Sequence, residues 1–247
     1  MATFRVAEDS RGTSEDEWLG AFGRRDVPLL RLERTWQEAV VVSAHPDDDV
    51  LGVGDLLRAL RTDGLSIHSI VATDGERSAP ESAFGSPDVL GALRRAELRR
   101  AYERLGIVPS VNWLAIPDGE VARHEAEVTS RLHDVIAADT LVLVPWRLDG
   151  HPDHDAVGRA AAAAVAQARA TLWEFPVWAW HWADPEADDF PWSRALRWSC
   201  GDVIAKREAI DCFDTQVRPV EASVGAEPVL PVNVLERFHR PFEVVFT

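Results

Sequence analysis

Short runs of apolar residues alternate along the chain with longer segments in which apolar residues recur every three or four positions. Continuous short runs are typical of strands buried in a parallel sheet, and the longer period is typical of helices with one buried face. The pattern predicts strands at residues 39–44, 65–73, 111–116, 140–145, 172–180 and 242–246. It predicts helices at residues 49–62, 87–105, 122–138, 151–170 and 202–213.

This alternation predicts the α/β class, as a three-layer Rossmann-like domain with a mainly parallel sheet between two helical layers. The chain of 247 residues has the length of one such domain. Residues 1–37 are polar and irregular, so we expect an N-terminal extension that packs on the domain or frays, followed by the domain itself at 38–247. Ligands of such sheets bind beyond the carboxyl ends of the strands.

The composition narrows the choice of partners. The formal net charge is -15, which repels phosphate backbones and anionic lipids, so we expect neither a nucleic-acid nor a membrane partner. No stretch approaches the about 20 apolar residues of a membrane helix, and the first residues lack the pattern of a secretory signal. The two cysteines, Cys200 and Cys212, are not in a CxxC motif. We therefore predict a cytoplasmic protein with reduced thiols.

Two polar motifs stand directly after predicted strands. AHPDDD follows the first strand at residues 44–49, and HPDH follows the fourth at residues 151–154. Catalytic zinc typically takes three ligands from His and carboxylate side chains and keeps a fourth position for water. His45 and Asp48 are three residues apart and can aim at one point, and His154 can supply the third ligand. The two motifs together therefore predict a zinc site.

Three further polar residues of these motifs are left for catalysis. Asp47 would lie beside the metal without ligating it, where it could take a proton from water. His151 could face the substrate carbonyl as an imidazolium that steadies an oxyanion and supplies a proton, with Asp153 fixing its tautomer and charge. Either motif alone is more typical of a helix cap or a turn, and only the pair, each at a strand end, favours this hypothesis.

With these motifs the sequence resembles the LmbE-like, or PIG-L, family of zinc N-deacetylases. That family includes the deacetylases of the mycothiol and bacillithiol pathways and of N-acetylglucosaminyl-phosphatidylinositol. Its two signatures are AHPDD followed by an acid, and HPDH, and the resemblance extends over residues 38–247. Supporting matches are a T-x-G-E loop at Thr73 to Glu76, R-x-x-E at Arg94 and Glu97, L-G at Leu105 and Gly106, P-D-G at Pro117 to Gly119, and Lys206 with Gln216.

The resemblance implies a role for each matching position. The implied zinc ligands are His45, Asp48 and His154, and the implied general base is Asp47. His151 would stabilise the tetrahedral intermediate or protonate the leaving amine, Asp153 would orient it, and Arg94 would contact the substrate.

Two positions depart from the family pattern. Asp49 stands where glutamate is more usual, and we expect it to support the ligands from outside the metal's own shell. Some members carry a tyrosine two residues before HPDH as an oxyanion donor, and that position here is Asp149. The only tyrosine, Tyr102, lies inside a predicted helix. We therefore expect zinc and His151 to carry the oxyanion role.

The substrate-binding candidates lie at the same edge of the predicted sheet. Six of the ten tryptophans fall between Trp173 and Trp198, so part of this stretch should lie over the site, either as core or stacked on a sugar ring or an aglycone. Trp178 and His181 follow the fifth strand and are predicted to line the pocket, and Trp180 shares the stacking hypothesis. Arg77 and Arg94 are candidates for contacting the substrate.

Together these observations predict a zinc-dependent hydrolase that removes an N-acetyl or N-acyl group from an amino sugar or glycoconjugate. The predicted partner is a small N-acetylated sugar or glycoconjugate, and a homo-oligomer is left open. One alternative is an amidase that cleaves a larger N-acyl conjugate at the same site. Others are a non-catalytic metal-binding or sugar-binding protein and, less favoured because it usually needs two metals, a metallophosphoesterase.

Overall fold

The sheet is organised around the two strands whose apolar runs are the most continuous, Glu38–Ser43 (β1) and Thr140–Pro145 (β4). The computed structural model describes residues 12–32, 35–79, 81–219 and 227–247 of the chain. Five further strands of the described part are Ser66–Val71 (β2), Ser110–Trp113 (β3), Thr171–Phe175 (β5), Ala195–Ser199 (β6) and Phe242–Phe246 (β7). Their order is β3-β2-β1-β4-β5-β7-β6, parallel except that β7 runs antiparallel to β5 and β6.

Helices connect these strands and cover the sheet. The described part contains Glu15–Arg24 (α1), Asp48–Thr62 (α2), Glu81–Phe84 (α3), Pro87–Leu105 (α4), Glu125–His133 (α5), Pro152–Ala168 (α6), Ala179–Trp182 (α7), Val203–Ile210 (α8), Asp214–Val217 (α9) and Val232–Leu235 (α10).

The side chains of β1 divide the apolar core into two layers. Val41 joins one cluster with residues of α2, α4 and α8, whereas its neighbour Val42 joins a second cluster with residues of α5 and α6. Successive side chains of a strand point to opposite faces, so a strand that is apolar at every position must be covered on both. The prediction of a three-layer α/β domain with a mainly parallel sheet is confirmed.

The parallel strands end together. Ser43 of β1 pairs with Val71 of β2, which pairs with Trp113 of β3, and Pro145 of β4 pairs with Phe175 of β5. The five segments that follow these residues therefore meet at one edge of the sheet. They include both metal motifs, the T-x-G-E loop, the P-D-G turn and the start of the tryptophan-rich stretch.

Helix α2, which begins at Asp48, is kinked at Val53, where φ is -141 and ψ is 24. The backbone N–H groups of Asp55 and Leu56 donate to the two carboxylate oxygens of Glu243 on β7, each at 2.8 Å. Lys206 Nζ of α8 lies 2.6 Å from the same carboxylate. A kink frees backbone donors that need new partners, and a buried carboxylate supplies them here. This anchor holds the helix that carries the metal motif against the sheet.

The predicted fifth strand is too long. Strand β5 ends at Phe175, before Pro176, which has no backbone N–H to continue the ladder. The chain then turns into the short helix α7, so Trp178 and Trp180 lie outside the sheet. Strand β6 was not predicted, because its alternation of apolar and basic residues is short and follows a proline-rich segment.

Residues 12–32 of the predicted extension pack into the core of the domain. Ser14 caps α1 in a capping box, and Trp18 of that helix is fully buried, with Nε1 donating to the carbonyl oxygen of Trp180 at 2.8 Å. Beyond α1, Leu30 and Arg197 are joined by a backbone hydrogen bond that adds this segment to the edge of β6. Residues 1–11 and 33–34 of the predicted extension lie outside the described residues.

No helix in the described ranges combines the length and the apolar character that crossing a bilayer requires. Both cysteines, Cys200 and Cys212, are free thiols. The cytoplasmic location and the absence of nucleic-acid and membrane partners stay predictions.

Trp18→Ala is expected to lower the free energy of unfolding by about 3–5 kcal/mol, because it leaves a cavity in a fully buried site. Leu19→Ala in the same helix is the matched control, since Leu19 is exposed, and its change should stay within about 0.5 kcal/mol. Urea denaturation followed by circular dichroism measures both. Equal effects of the two substitutions would contradict the docking of α1.

Candidate metal centre and active site

Asp48 is held in place by the turn between β1 and α2. The backbone N–H groups of Ala44 and His45 donate to its Oδ2 at 2.9 and 2.8 Å, and Oδ1 lies 3.2 Å from His154 Nε2. Burial disfavours the charge of this carboxylate, but the facing imidazoles of His154 and His45 outweigh burial and hold the pKa of Asp48 well below its usual range. The carboxylate therefore stays ionised and ready to bind a cation.

Three potential ligand atoms converge at this point. His45 Nδ1 and His154 Nε2 are 3.2 Å apart, and His45 Nδ1 is 3.7 Å from Asp48 Oδ2. A tetrahedral zinc ion with bonds of about 2.0–2.1 Å separates its ligand atoms by about 3.3 Å. All three side chains are buried. The donor types and these spacings fit a zinc-type cation, with one Asp48 oxygen near each imidazole. Ligand atoms also lie within 4.8 Å of one another in two other sets of described residues, His45 with His151 and His154, and His45 with Asp118 and Asp153.

Carboxylates fix the far nitrogen of each of these imidazoles. His154 Nδ1 is 2.6 Å from Asp149 Oδ2, and His45 Nε2 is 3.3 Å from Asp118 Oδ1 and 3.5 Å from Asp153 Oδ2. A ligating histidine donates its other N–H to such an acceptor, which leaves a lone pair for the metal. Burial opposes a charge on His154, yet Asp48 and Asp149 raise its pKa to about 10. The surrounding carboxylates thus favour positive charge here, which a divalent ion would supply in place of protons.

Asp149 also fixes the segment that follows β5. Its carboxylate accepts the backbone N–H groups of Val177, Trp178 and Ala179 at 2.9, 2.7 and 2.9 Å. Its carbonyl oxygen accepts the indole N–H of Trp182 at 2.6 Å. Sequence reasoning treated Asp149 only as the position of a missing tyrosine. Asp149 could have been identified from the sequence, because a ligating His154 needs a hydrogen-bond acceptor and an acid stands just before HPDH.

Asp47 is buried beside the ligands and pairs with Arg94. Its Oδ1 accepts a hydrogen bond from Arg94 Nη2 at 2.9 Å, and Arg94 Nη1 donates to the carbonyl oxygen of Gly75 at 2.9 Å. Gly75 has φ of 62, and a Cβ there would lie 1.8 Å from Arg94 Nη1, so this approach requires glycine. Burial raises the pKa of Asp47, and the Arg94 guanidinium opposes that rise. Arg94, expected at the substrate, is itself buried against this carboxylate.

His151 caps the N-terminus of α6, where its Nδ1 accepts the backbone N–H of Asp153 at 3.2 Å. Its ring centroid lies 4.8 Å from that of His45 and 4.6 Å from that of His154. Burial, reinforced by the neighbouring His154 and His45, lowers the pKa of His151 to about 2. A desolvated ring whose Nδ1 serves as an acceptor favours the neutral form. The predicted role of His151 as an imidazolium stays a prediction.

The carboxylate of Asp153 does not take the place predicted for it. It accepts the backbone N–H groups of Gly119 at 2.7 Å and Val121 at 3.1 Å, and it lies against His45 Nε2. The backbone N–H of Asp153 donates to the ring of His151. The segment from the P-D-G turn to Val121 instead offers this carboxylate two backbone donors. Asp153 thus supports a ligand, as Asp118 does.

Asp49 and Tyr102 form a separate buried contact. The tyrosine hydroxyl is hydrogen-bonded to the Asp49 carboxylate and, at 2.8 Å, to Ser69 Oγ. Burial raises the pKa of Asp49 to about 7. The shorter acid at this position thus packs against the chain's only tyrosine, which ties α2 to α4.

Of the substrate-binding candidates, Arg77 is exposed to solvent, whereas His181 and Trp180 are buried. Arg77 lies at the rim, where its Nη1 donates to the carbonyl oxygen of Asp118 at 2.7 Å and half of its side chain is exposed. His181 is buried and stacks on half-buried Trp178 at 4.8 Å. Trp180 belongs to the aromatic core with Trp18, at 4.7 Å, and is not placed to stack on a substrate. The structure therefore brings the residues of both motifs together but not the whole tryptophan-rich stretch.

Comparison with known proteins accords with this geometry. The model of the PIG-L family, described as GlcNAc-PI de-N-acetylase, matches residues 40–165, half of the chain. The chain belongs to the PIG-L family. The matched segment includes every residue of the two metal motifs.

Named relatives cover part of this PIG-L chain. A 1D-myo-inositol 2-acetamido-2-deoxy-alpha-D-glucopyranoside deacetylase 2 of Saccharopolyspora erythraea is 30% identical over 155 residues, which are 52% of this chain and 56% of the relative. A diacetylchitobiose deacetylase of Thermococcus kodakarensis is 30% identical over 136 residues, 53% of this chain and 49% of the relative. The chain thus spans about half the length of these relatives. A solved deacetylase triple mutant of the teicoplanin biosynthetic pathway shares the fold, with a TM-score of 0.62 and 19% identity over 85% of this chain and 96% of that chain.

In this PIG-L family member, His154→Ala is expected to remove most of the bound zinc, because it deletes a ligand. Asp149→Asn should weaken zinc binding by about 10–100-fold, since the ligand remains but loses its charged acceptor. His124→Ala is the control, because His124 lies at the surface with Glu127. Metal analysis and competition with a chromophoric chelator measure the affinities, and circular dichroism checks the fold. One equivalent of zinc held at normal affinity by His154→Ala would refute the ligand set.

Proposed function

We propose that this chain is a zinc-dependent hydrolase that removes the N-acetyl group, or another N-acyl group, from an amino sugar or glycoconjugate. The observation that carries the proposal is the convergence of His45 Nδ1, Asp48 and His154 Nε2 at 3.2 to 3.7 Å, with Asp47 and His151 beside them. The family supports it, since the two named relatives deacetylate N-acetylated sugar compounds.

His45, Asp48 and His154 would hold the zinc ion. When bound, such an ion polarises a carbonyl oxygen and lowers the pKa of water towards about 7. The chain's own contribution to this site is to present two lone pairs and one carboxylate with their orientation set by Asp118, Asp149 and Asp153.

Asp47 moves the proton. Its carboxylate takes a proton from water as the water oxygen forms a bond with the acyl carbon, and it later gives that proton to the nitrogen as the C–N bond breaks. The products are then a carboxylic acid and a free amine. Burial raises the pKa of Asp47 and the Arg94 guanidinium opposes that rise, a balance that suits a group that must both accept and release a proton.

His151 acts as a neutral hydrogen-bond donor. Its Nδ1 accepts the N–H of Asp153, so in the neutral ring the proton is on Nε2, which can donate to the negative charge that develops on the acyl oxygen. A helix N-terminus disfavours a cationic ring at this point. Protonation of the leaving amine is therefore assigned to Asp47.

The alternatives use the same residues differently. An amidase for larger N-acyl conjugates would need the same centre and a wider acyl pocket. A protein that only binds metal or sugar would not need a buried Asp47 paired with Arg94, because a charged pair without a task costs desolvation energy.

Asp47→Asn is expected to keep zinc and to lower turnover by about 10²-fold or more, because the general base is lost. Asp48→Asn should instead weaken zinc binding, although the two residues are adjacent. The zinc-loaded protein and both variants are compared on a panel of N-acetylated and longer N-acylated amino sugars, with acetate, fatty acid and free amine measured. Swapped outcomes would refute the assignment of the two residues. Absence of product from every substrate by the wild-type protein would refute the proposed activity.

His151→Ala is expected to lower turnover by about 10²-fold at every pH, because one oxyanion donor is lost. A group whose pKa lies at about 2 stays neutral through the neutral and alkaline range, so the shape of the pH–rate profile should not change. Profiles of the wild-type and variant proteins, each checked for zinc content, measure this. A high-pH limb that disappears in His151→Ala would show that the ring works as an imidazolium after all.

A further inference from the structure

Trp182 is the most exposed of the ten tryptophans. About half of its surface, 51%, is open to solvent, whereas Trp18, Trp146, Trp173 and Trp180 are buried. An isolated exposed apolar side chain needs no explanation, but this ring is both large and held in place.

Two contacts fix the indole. Its Nε1 donates to the carbonyl oxygen of Asp149 at 2.6 Å, and the ring lies against Gly150. Gly150 has φ of 89, and a Cβ there would be 2.3 Å from Trp182 Nε1. Glycine is therefore required both by the backbone and by the ring. A fixed ring loses little conformational entropy when a ligand binds to it.

The same loop carries part of the reaction centre. Asp149 binds His154 Nδ1 through its carboxylate, and Gly150 is followed directly by His151. The backbone before α7 is bonded to the same carboxylate through Val177 and Ala179. The indole of Trp182, at the end of α7, thus lies against the loop that leads directly to His151.

The charged groups that neighbour Asp149 and Gly150 are bonded to other partners. Leu148, one residue before Asp149, is exposed. Arg147 is paired with Glu174, and the Asp155 carboxylate accepts the N–H of Gly150 at 3.0 Å. An indole with this surrounding suits a flat, uncharged ring better than a phosphate or carboxylate.

We propose that Trp182 is the platform on which the substrate's second ring stacks, the ring attached to the N-acetylated sugar. This proposal rests on the proposed function and deepens it, because it assigns the substrate to glycosides whose neighbouring group has an apolar face. That group is either a second sugar or an aromatic aglycone, which share this chemistry.

The test compares Trp182→Ala and Trp182→Phe with wild type on three substrates: N-acetylglucosamine, N,N'-diacetylchitobiose and 4-nitrophenyl N-acetyl-β-glucosaminide. Trp182→Ala should raise KM for a two-ring substrate by about tenfold with little change in kcat, and leave N-acetylglucosamine within about twofold. Trp182→Phe keeps a ring and should retain most of the preference. Which two-ring substrate responds distinguishes a sugar from an aromatic neighbour. Leu29→Ala, an exposed apolar residue beside β6, is the matched control and should change none of these values.

A binding measurement separates this proposal from the activity. Saturation-transfer NMR with the zinc-loaded Asp47→Asn protein reports contact of the second ring without turnover, and that signal should be lost when Trp182→Ala is added. If adding Trp182→Ala abolishes the signal but the wild-type protein turns over none of the substrates, the proposed function is refuted while the stacking role of Trp182 is supported. An equal change in KM for all three substrates, or no change, would overturn the platform. The proposal would also be overturned if Trp182→Ala changed the sedimentation behaviour without altering the substrate preference, because Trp182 would then contact a second copy of the chain.

Discussion

The arrangement at the carboxyl edge of the sheet depends on one buried carboxylate, that of Asp149. A buried charge is tolerated only when hydrogen bonds replace its hydration, and this one has the His154 ring and three backbone N–H groups around it. Because one carboxylate is bonded both to the His154 ring and to the backbone after β5, the orientation of that ring and the course of the chain after β5 are set together. The turn into α7, the place of Trp182 and the lone pair of His154 therefore follow from a single interaction.

Three consecutive aspartates show how surroundings separate chemically identical groups. All three are buried, and burial raises the pKa of Asp47 against the opposing effect of Arg94 and that of Asp49 to about 7 against the hydrogen bond from Tyr102. Only at Asp48 do two facing imidazoles outweigh burial and hold the pKa well below its usual range. Adjacent residues at the start of a helix point in different directions, so each meets a different partner. The roles of ligand, base and support that we propose for them would arise from this geometry and from no difference in composition.

The aromatic residues that surround the site belong mainly to the core. Trp180 and Trp18 pack edge to face, and Phe190 completes their cluster, which buries α1 against the segment after β5. A tryptophan-rich stretch beside an active site is thus partly a packing device, because large rings fill the space where the sheet ends. Trp182, with about half of its surface exposed, is the member of this stretch most accessible from solvent.

The sequence by itself determined the parallel sheet and the meeting of the two histidine-aspartate motifs at its edge. Continuous apolar runs such as residues 140–145 have no alternative to burial on both faces, and two histidine-aspartate motifs at the ends of parallel strands have to meet. The tertiary structure alone decided the backbone donors that Asp149 and Asp153 meet on distant segments, the docking of Trp18 and which tryptophan stays exposed. These features depend on contacts between segments more than 20 residues apart, as in the pairing of Asp149 with Val177, which no local pattern records. A hydrogen-bond acceptor takes whichever donor the packed chain brings to it, so its partner is a property of the fold and not of its neighbours in sequence.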